Sequence, residues 1–228
     1  MQPCFPLPRQ WKPYGVPPPT SAQTKKCIEW LRYIWTRELP DHIEWLNLYE
    51  DMASFSFHTF EGLSYRPHST VVSSDFGAWA SNTIHQLLTW RPLGCIDSRA
   101  AIIQEACRLG TLIYLVPVWR FFGVAPVVSA YLVSKLKNFL EMNDVQWGGL
   151  WPLQAWILYM AGLEAHACLE EAWYYDQLAW VFEYNGILTW DDGMAHIKNV
   201  LWFDCMFASK DEAMGTEVAA ILEANIDT

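Results

Sequence analysis

Basic residues nearly vanish from the last third of the sequence: residues 161–228 hold 2 Lys/Arg against 13 Asp/Glu, whereas residues 1–160 hold 13 against 12. Nucleic acid is held chiefly by Lys and Arg neutralising phosphates, so this balance argues against DNA or RNA as a direct ligand. The acidic third reads first as the solvated face of amphipathic helices and second as a surface for a basic partner. Paired cysteines are absent too. Cys4, Cys27, Cys95, Cys107, Cys168 and Cys205 are scattered, with no two closer than 12 positions. That spacing forms no metal or Cys-x-x-Cys redox motif, and with no secretory signal to imply an oxidising compartment the six read as reduced thiols, several of them buried as small apolar groups. An N-terminal apolar run is missing because Pro3, Pro6, Pro8, Pro13, Pro17, Pro18 and Pro19 interrupt it, so no secretory signal is expected and the chain reads as not secreted. No segment alternates persistently with period two, which argues against strands.

Apolar and aromatic residues are what the chain has in quantity. Hydrophobic residues make up 52% of it and it carries 14 Trp, so it has the material for a large core and lacks the composition of a disordered protein. Residues 1–24 read as a flexible, Pro-rich extended arm, since proline fixes φ and disfavours the α region for the residue before it. Residues 25–224 read as one all-α domain. From Lys25, Ile28, Leu31, Ile34 and Trp35 recur at helical spacing until Leu39-Pro40. Asp41 with Glu44 has the form of a capping box opening a second helix through Trp45, Leu48, Tyr49 and Met52. A further helix is expected from Asp75 to Trp90. A stronger one starts at Asp97 or Ser98, carries Ile102, Ile103, Ala106, Leu109 and Ile113 on one face, and ends near Pro117.

After Pro126, Val128, Tyr131, Leu132, Leu136 and Phe139 share a face. Trp151 to His166 is apolar nearly all round, the pattern of a helix surrounded by others, with Pro152 in its first turn. Val145 to Leu163 is uncharged for 19 residues, long enough to cross a bilayer, but Pro152, the Gly148-Gly149 pair, Gln146 and Gln154 make it a buried helix and not a membrane span. Helices are also expected over 170–184, ended by Asn185-Gly186, from Thr189 with Asp192 through Met194, Ile197, Val200 and Leu201, and over 211–224.

Groups capable of catalysis do not assemble into a known motif. Asp191-Asp192 on a Trp-rich helical chain invites comparison with the acidic magnesium motif of class I terpene cyclases. Ala195 stands where a further acid is required, however, and Trp147 and Trp151 occupy the positions after Asn143-Asp144 that would carry a hydroxyl and a carboxylate. Asp191 and Asp192 are better read as complements to the positive end of a helix. Glu164, His166 and Cys168 have metal-capable side chains, but on a helix a two-residue step turns each about 200° from the next, so they cannot converge. No nucleophile elbow, phosphate loop, dinucleotide fingerprint or His-Glu-x-x-His is present. No catalytic residue, cofactor or metal is therefore expected. The aromatic helices either pack solidly or surround an apolar cavity, for which Trp156, Tyr159 and Met160 are the candidate lining.

Three blocks, in order, carry a resemblance. They are Glu105-Ala106-Cys107-Arg108-Leu109 with Leu112-Ile113-Tyr114-Leu115, then Leu150-Trp151-Pro152-Leu153 with Ala161-Gly162-Leu163-Glu164-Ala165, then Trp190-Asp191-Asp192 with Leu201-Trp202-Phe203-Asp204 and Glu217-Val218. Together with Pro40-Asp41, Glu44-Trp45 and Leu48-Tyr49-Glu50, they resemble the fungal-specific transcription factor domain, the helical regulatory region of zinc binuclear-cluster activators, over roughly Asp41 to Val218. Cys107, Tyr114, Trp151, Pro152, Gly162, Trp190, Trp202 and Asp204 are the positions that match its core. The resemblance implies a nuclear regulator, otherwise a cytoplasmic protein, acting through a protein partner or its own oligomer and optionally through a small apolar effector. The six closely spaced thiolates of a binuclear zinc cluster are not in the sequence, so the DNA-reading half is not expected. The alternative expectation is a small-molecule enzyme of a fungal biosynthetic pathway on the same scaffold, using acid–base residues such as Asp204, Glu164 or His166.

Overall fold

A computed structural model describes residues 22–42, 44–53, 83–89, 98–121, 129–166, 169–202, 207 and 212–226. The fold is all-α, with no strand among the described residues. The helices are α1 (Ala22–Glu38), α2 (44–53), α3 (83–89), α4 (Arg99–Phe121), α5 (Ser129–Met142), α6 (Trp151–Glu164), α7 (Glu171–Tyr184), α8 (Trp190–Ile197) and α9 (Glu212–Ile226), with a 3₁₀ turn over Gly148–Leu150. Residues 1–21 of the proline-rich arm, and Asp204, lie outside the described residues.

The uniformly apolar segment becomes the centre of the structure. Residues 155–162 of α6 are buried without interruption, because α4, α5, α7 and α8 all pack around this helix. Val145 to Leu163 is not one span: an extended connection and the 3₁₀ turn precede α6, which starts at Trp151 with Pro152 in its first turn, where the missing N–H has no helical partner to lose. The longest apolar helix is instead α4. Arg99–Arg120 is the one described helix long and apolar enough to cross a membrane, and 78% of its apolar window is buried inside the fold.

The sequence placed the end of this helix near Pro117, but α4 continues through that proline to Phe121. An internal proline removes one helical hydrogen bond and crowds the preceding turn, at about 3 kcal/mol. Burial of Leu115, Val116 and Val118 around it offsets that cost. A second difference lies at α8, which stops at Ile197. Lys198 N donates to Met194 O at 2.9 Å, and Val200 and Leu201, expected on the helix, follow it in a turn and are still buried.

Local signals set the other ends. Thr189 caps α8, its hydroxyl accepting from Asp192 N at 3.2 Å and donating to the Asp192 carboxylate at 2.7 Å, so Asp191 and Asp192 occupy the first turn where negative charge opposes the helix dipole. Gly186, at φ +74°, takes the left-handed conformation that ends α7. Between elements, Arg99 ties three together: it donates to Glu38 Oε2 at 2.7 Å, to Gln146 O at 2.7 Å and to Trp147 O at 3.0 Å, while Gly149 N donates to Glu38 Oε1. Gly148, at φ +56°, sits against this carboxylate, where a Cβ would stand 2.9 Å from Glu38 Oε2.

The core is aromatic and contains few polar groups. Trp156 contacts Tyr49 and Tyr114 at centroid distances of 6.1 and 5.3 Å, and its indole N–H donates to Leu201 O at 2.9 Å. Each such ring removes about 150–250 Å² from water, and at roughly 25 cal/mol per Å² this is the main source of stability. Two polar features are buried within α4. Tyr49 and Thr111 hydroxyls meet at 3.2 Å above Cys107, whose carbonyl accepts from Thr111 at 2.7 Å. Glu105 and Arg108, one helical turn apart, form a two-bond ion pair at 2.6 and 2.5 Å with both residues buried.

Candidate functional site: a cleft at the C-terminal end of the central helix

Where α6 ends, the packing opens. The C-terminal ends of α4 and α6, the start of α7 and the start of α9 enclose a cleft of about 590 Å³. Its apolar lining is Pro117, Met160, Leu163, Phe207, Ala213 and Met214, and its polar lining is Arg120, Glu164, His166, Tyr175, Glu212 and Thr216. Four helix ends meet here and leave space between them.

The charged groups of the cleft are engaged with one another. Arg120 grips both oxygens of Glu164 at 2.6 and 2.7 Å, with the Glu164 side chain only 4% exposed and that of Arg120 45% exposed. His166 Nδ1 lies 2.9 Å from Glu171 Oε1, which also accepts from the Tyr175 hydroxyl at 2.6 Å. Burial, and then that bond to a carboxylate, raises the Tyr175 phenol above its ordinary pKa, so it remains a proton-bearing donor at neutral pH. The cleft thus offers an apolar floor, one exposed acid at its rim, Glu212, and an Arg120–Glu164 pair whose charges cancel.

The geometry revises the reading of Glu164 and His166. Their failure to converge assumed a helix running past both, but α6 stops at Glu164 and the chain turns through Ala165 and His166. Both side chains therefore line one cleft. Cys168 lies outside the described residues, and among those described no group of three metal-capable side chains converges.

Of the candidate pocket residues, Met160 lines the cleft, while Trp156 and Tyr159 are fully buried in the core. Tyr159 packs on Trp190 at 6.2 Å and on Trp202 at 5.6 Å. Cys107 and Tyr114 are fully buried in α4, where burial pushes the Cys107 thiol up to about 12. Pro152 is buried and Trp151 half-buried, its ring 4.6 Å from that of His196. Gly162 faces α9, where a Cβ would lie 2.7 Å from Met214 Cε. Trp190 and Trp202 are half-buried against the core. Sequence reasoning missed Arg120, Tyr175, Glu212 and Met214 as cleft residues, since they come from three separated helices and share no local pattern. The chain matches no protein-family model, no curated protein and no solved structure.

Proposed function

We propose that this chain is a transcription-factor-like regulatory domain that works through a protein partner and takes a small apolar effector in the cleft at the end of α6, without binding DNA itself. The observation that carries this reading is the composition of the cleft. Six apolar side chains line it, Glu212 is the exposed acid at its rim, and its one arginine is closed by Glu164. Such a site favours a neutral apolar molecule over a phosphate or carboxylate, and it sits on α9 and α7, the acidic third of the sequence, where a basic partner surface would also dock. The order of sequence blocks supports the regulatory assignment and a nuclear location. A direct test tethers the chain to a heterologous DNA-binding module upstream of a reporter in a fungal host. The expected result is a several-fold change in reporter output that Ala213→Trp, which fills the cleft from an exposed position on α9, removes. Output indistinguishable from the tether alone contradicts the proposal.

A second reading, a biosynthetic enzyme on this scaffold, draws support from Glu164 and His166 sharing the cleft. It ranks lower because Arg120 occupies both Glu164 oxygens and Glu171 holds His166. Turnover of a small apolar substrate that falls at least a hundredfold in Glu164→Gln would reverse that order.

A further inference from the structure

At the other end of α6 lies a groove of about 520 Å³ with different chemistry. Leu158 contributes to its floor, Gln154 on α6 and Gln177 on α7 line it, and Trp180 and Tyr184 stand on α7 at its edge. Trp180 and Tyr184 stack on each other at 5.2 Å and 20°, and they are 51% and 64% exposed. Gln154 and Gln177 are half-buried, yet neither side-chain amide has a hydrogen-bond partner among the described residues. The single charged lining residue is Asp144; the exposed acids Asp176 and Glu183 each neighbour a lining residue on α7, and Glu141, beside Leu140, is paired with Lys137 at 2.7 Å. An aromatic pair with unused amides and an acidic flank is a surface for a proline-rich, basic strand: prolines lie on the rings, amides bond a backbone that has no internal hydrogen bonds, and the acids pair with cations.

The chain itself contains such a strand. Residues 1–20 have no Asp or Glu and include Pro3, Pro6, Arg9 and Lys12 at intervals of three. In a polyproline II helix, which has three residues per turn, these four side chains would fall along one edge, two prolines followed by two cations. The reach is sufficient. α1 spans Ala22–Glu38, about 25 Å at 1.5 Å per residue, and its end is bonded through Glu38 to Gly149, beside the groove residue Gly148. The ten residues from Lys12 to Ala22 extend about 31 Å at 3.1 Å each.

We infer that the groove between α6 and α7 is a polyproline-binding site whose occupant is the chain's own segment Pro3–Lys12, with prolines on Trp180 and Tyr184 and Arg9 and Lys12 toward the acidic flank. A proline-rich segment of another protein would then have to displace the arm, which makes the arm a competitive regulator of this face.

Trypsin cleavage after Arg9 reads the contact in the full chain, with a synthetic peptide of residues 1–21 as the unprotected limit. The expected result is cleavage at least tenfold slower in the chain than in the peptide, rising to within about twofold of it in Trp180→Ala/Tyr184→Ala. Both rings are exposed, so the fold is retained, as circular dichroism would check. Pro3→Ala/Pro6→Ala, which touches only the arm, should abolish the protection independently. Equal rates in wild-type chain and peptide overturn the inference. Protection unchanged by the α7 variants overturns it as well, and protection that grows with protein concentration replaces the intrachain contact by one from a second copy.

Discussion

The two ends of α6 open onto sites of different chemistry. At the C-terminal end, Met160 and Leu163 pass into a charged rim in which Arg120, Glu164, His166 and Glu171 are paired. At the N-terminal end, Gln154 and Gln177 face a groove with neutral amides and open aromatic rings. Between them, eight consecutive residues are closed off from water. Burial needs only apolar volume, so the middle is interchangeable in chemistry and specific in shape, whereas each end can carry its own recognition without disturbing the other. The division predicts that substitutions in the middle alter stability and substitutions at the ends alter binding.

The largest expected effects therefore fall on the core. Trp156→Ala removes an indole packed on Tyr49 and Tyr114 and a hydrogen bond to Leu201, and should lower unfolding free energy by about 3–5 kcal/mol in urea titration. Arg108→Met alone leaves the Glu105 carboxylate buried without its cation and should cost about 3–5 kcal/mol, whereas Glu105→Leu/Arg108→Met should recover most of that loss. A double variant no better than the single would show that the pair is joined to further charges. Next in size is Gly193→Ala: its Cβ would lie 2.2 Å from Phe182 Cε2, and moving that ring should cost about 1–3 kcal/mol by the same titration.

Smaller effects sharpen the comparison from the ends. Arg120→Gln should cost about 1–3 kcal/mol, because it leaves the Glu164 carboxylate, whose side chain is only 4% exposed, without its cation, while altering what the cleft binds. His196 carries the pH dependence. Burial holds its pKa below the ordinary 6.5, with Asp192 opposing, so the unfolded chain binds the proton more readily. Its contribution to stability is present above pH 6.5 and is lost as pH falls through the lower folded value. His196→Gln should flatten the slope of thermal stability between about pH 7 and 5. Cys107, with a buried thiol pushed up to about 12, should resist iodoacetamide at pH 8 until the protein unfolds, as peptide mapping would report.

Much of the fold was legible because period and punctuation agreed. The uniformly apolar stretch after Trp151 became the surrounded helix, and Asn185-Gly186 and Thr189 with Asp192 marked ends that their hydrogen bonds and φ angles realise. Pro117 misled because its local penalty is smaller than the burial around it, a sum that no local rule contains. The end of α6 at Glu164 was equally hidden, and with it the meeting of Glu164 and His166, since nothing between them is a helix breaker. The Glu105–Arg108 pair had a helical spacing that also fits a solvated surface bridge, and only tertiary packing makes it interior. The cleft was legible only through Met160 and the acid–base candidates Glu164 and His166, because its walls from α4, α7 and α9 arrive from distant parts of the chain.

The central claim is that an accessible apolar site exists at one end of α6 and nowhere in its closed middle. Nile red titration tests it directly. The account predicts blue-shifted emission saturating near one equivalent, lost in Ala213→Trp and retained in Trp180→Ala. Absence of saturable binding, or binding that Ala213→Trp leaves unchanged, would contradict it.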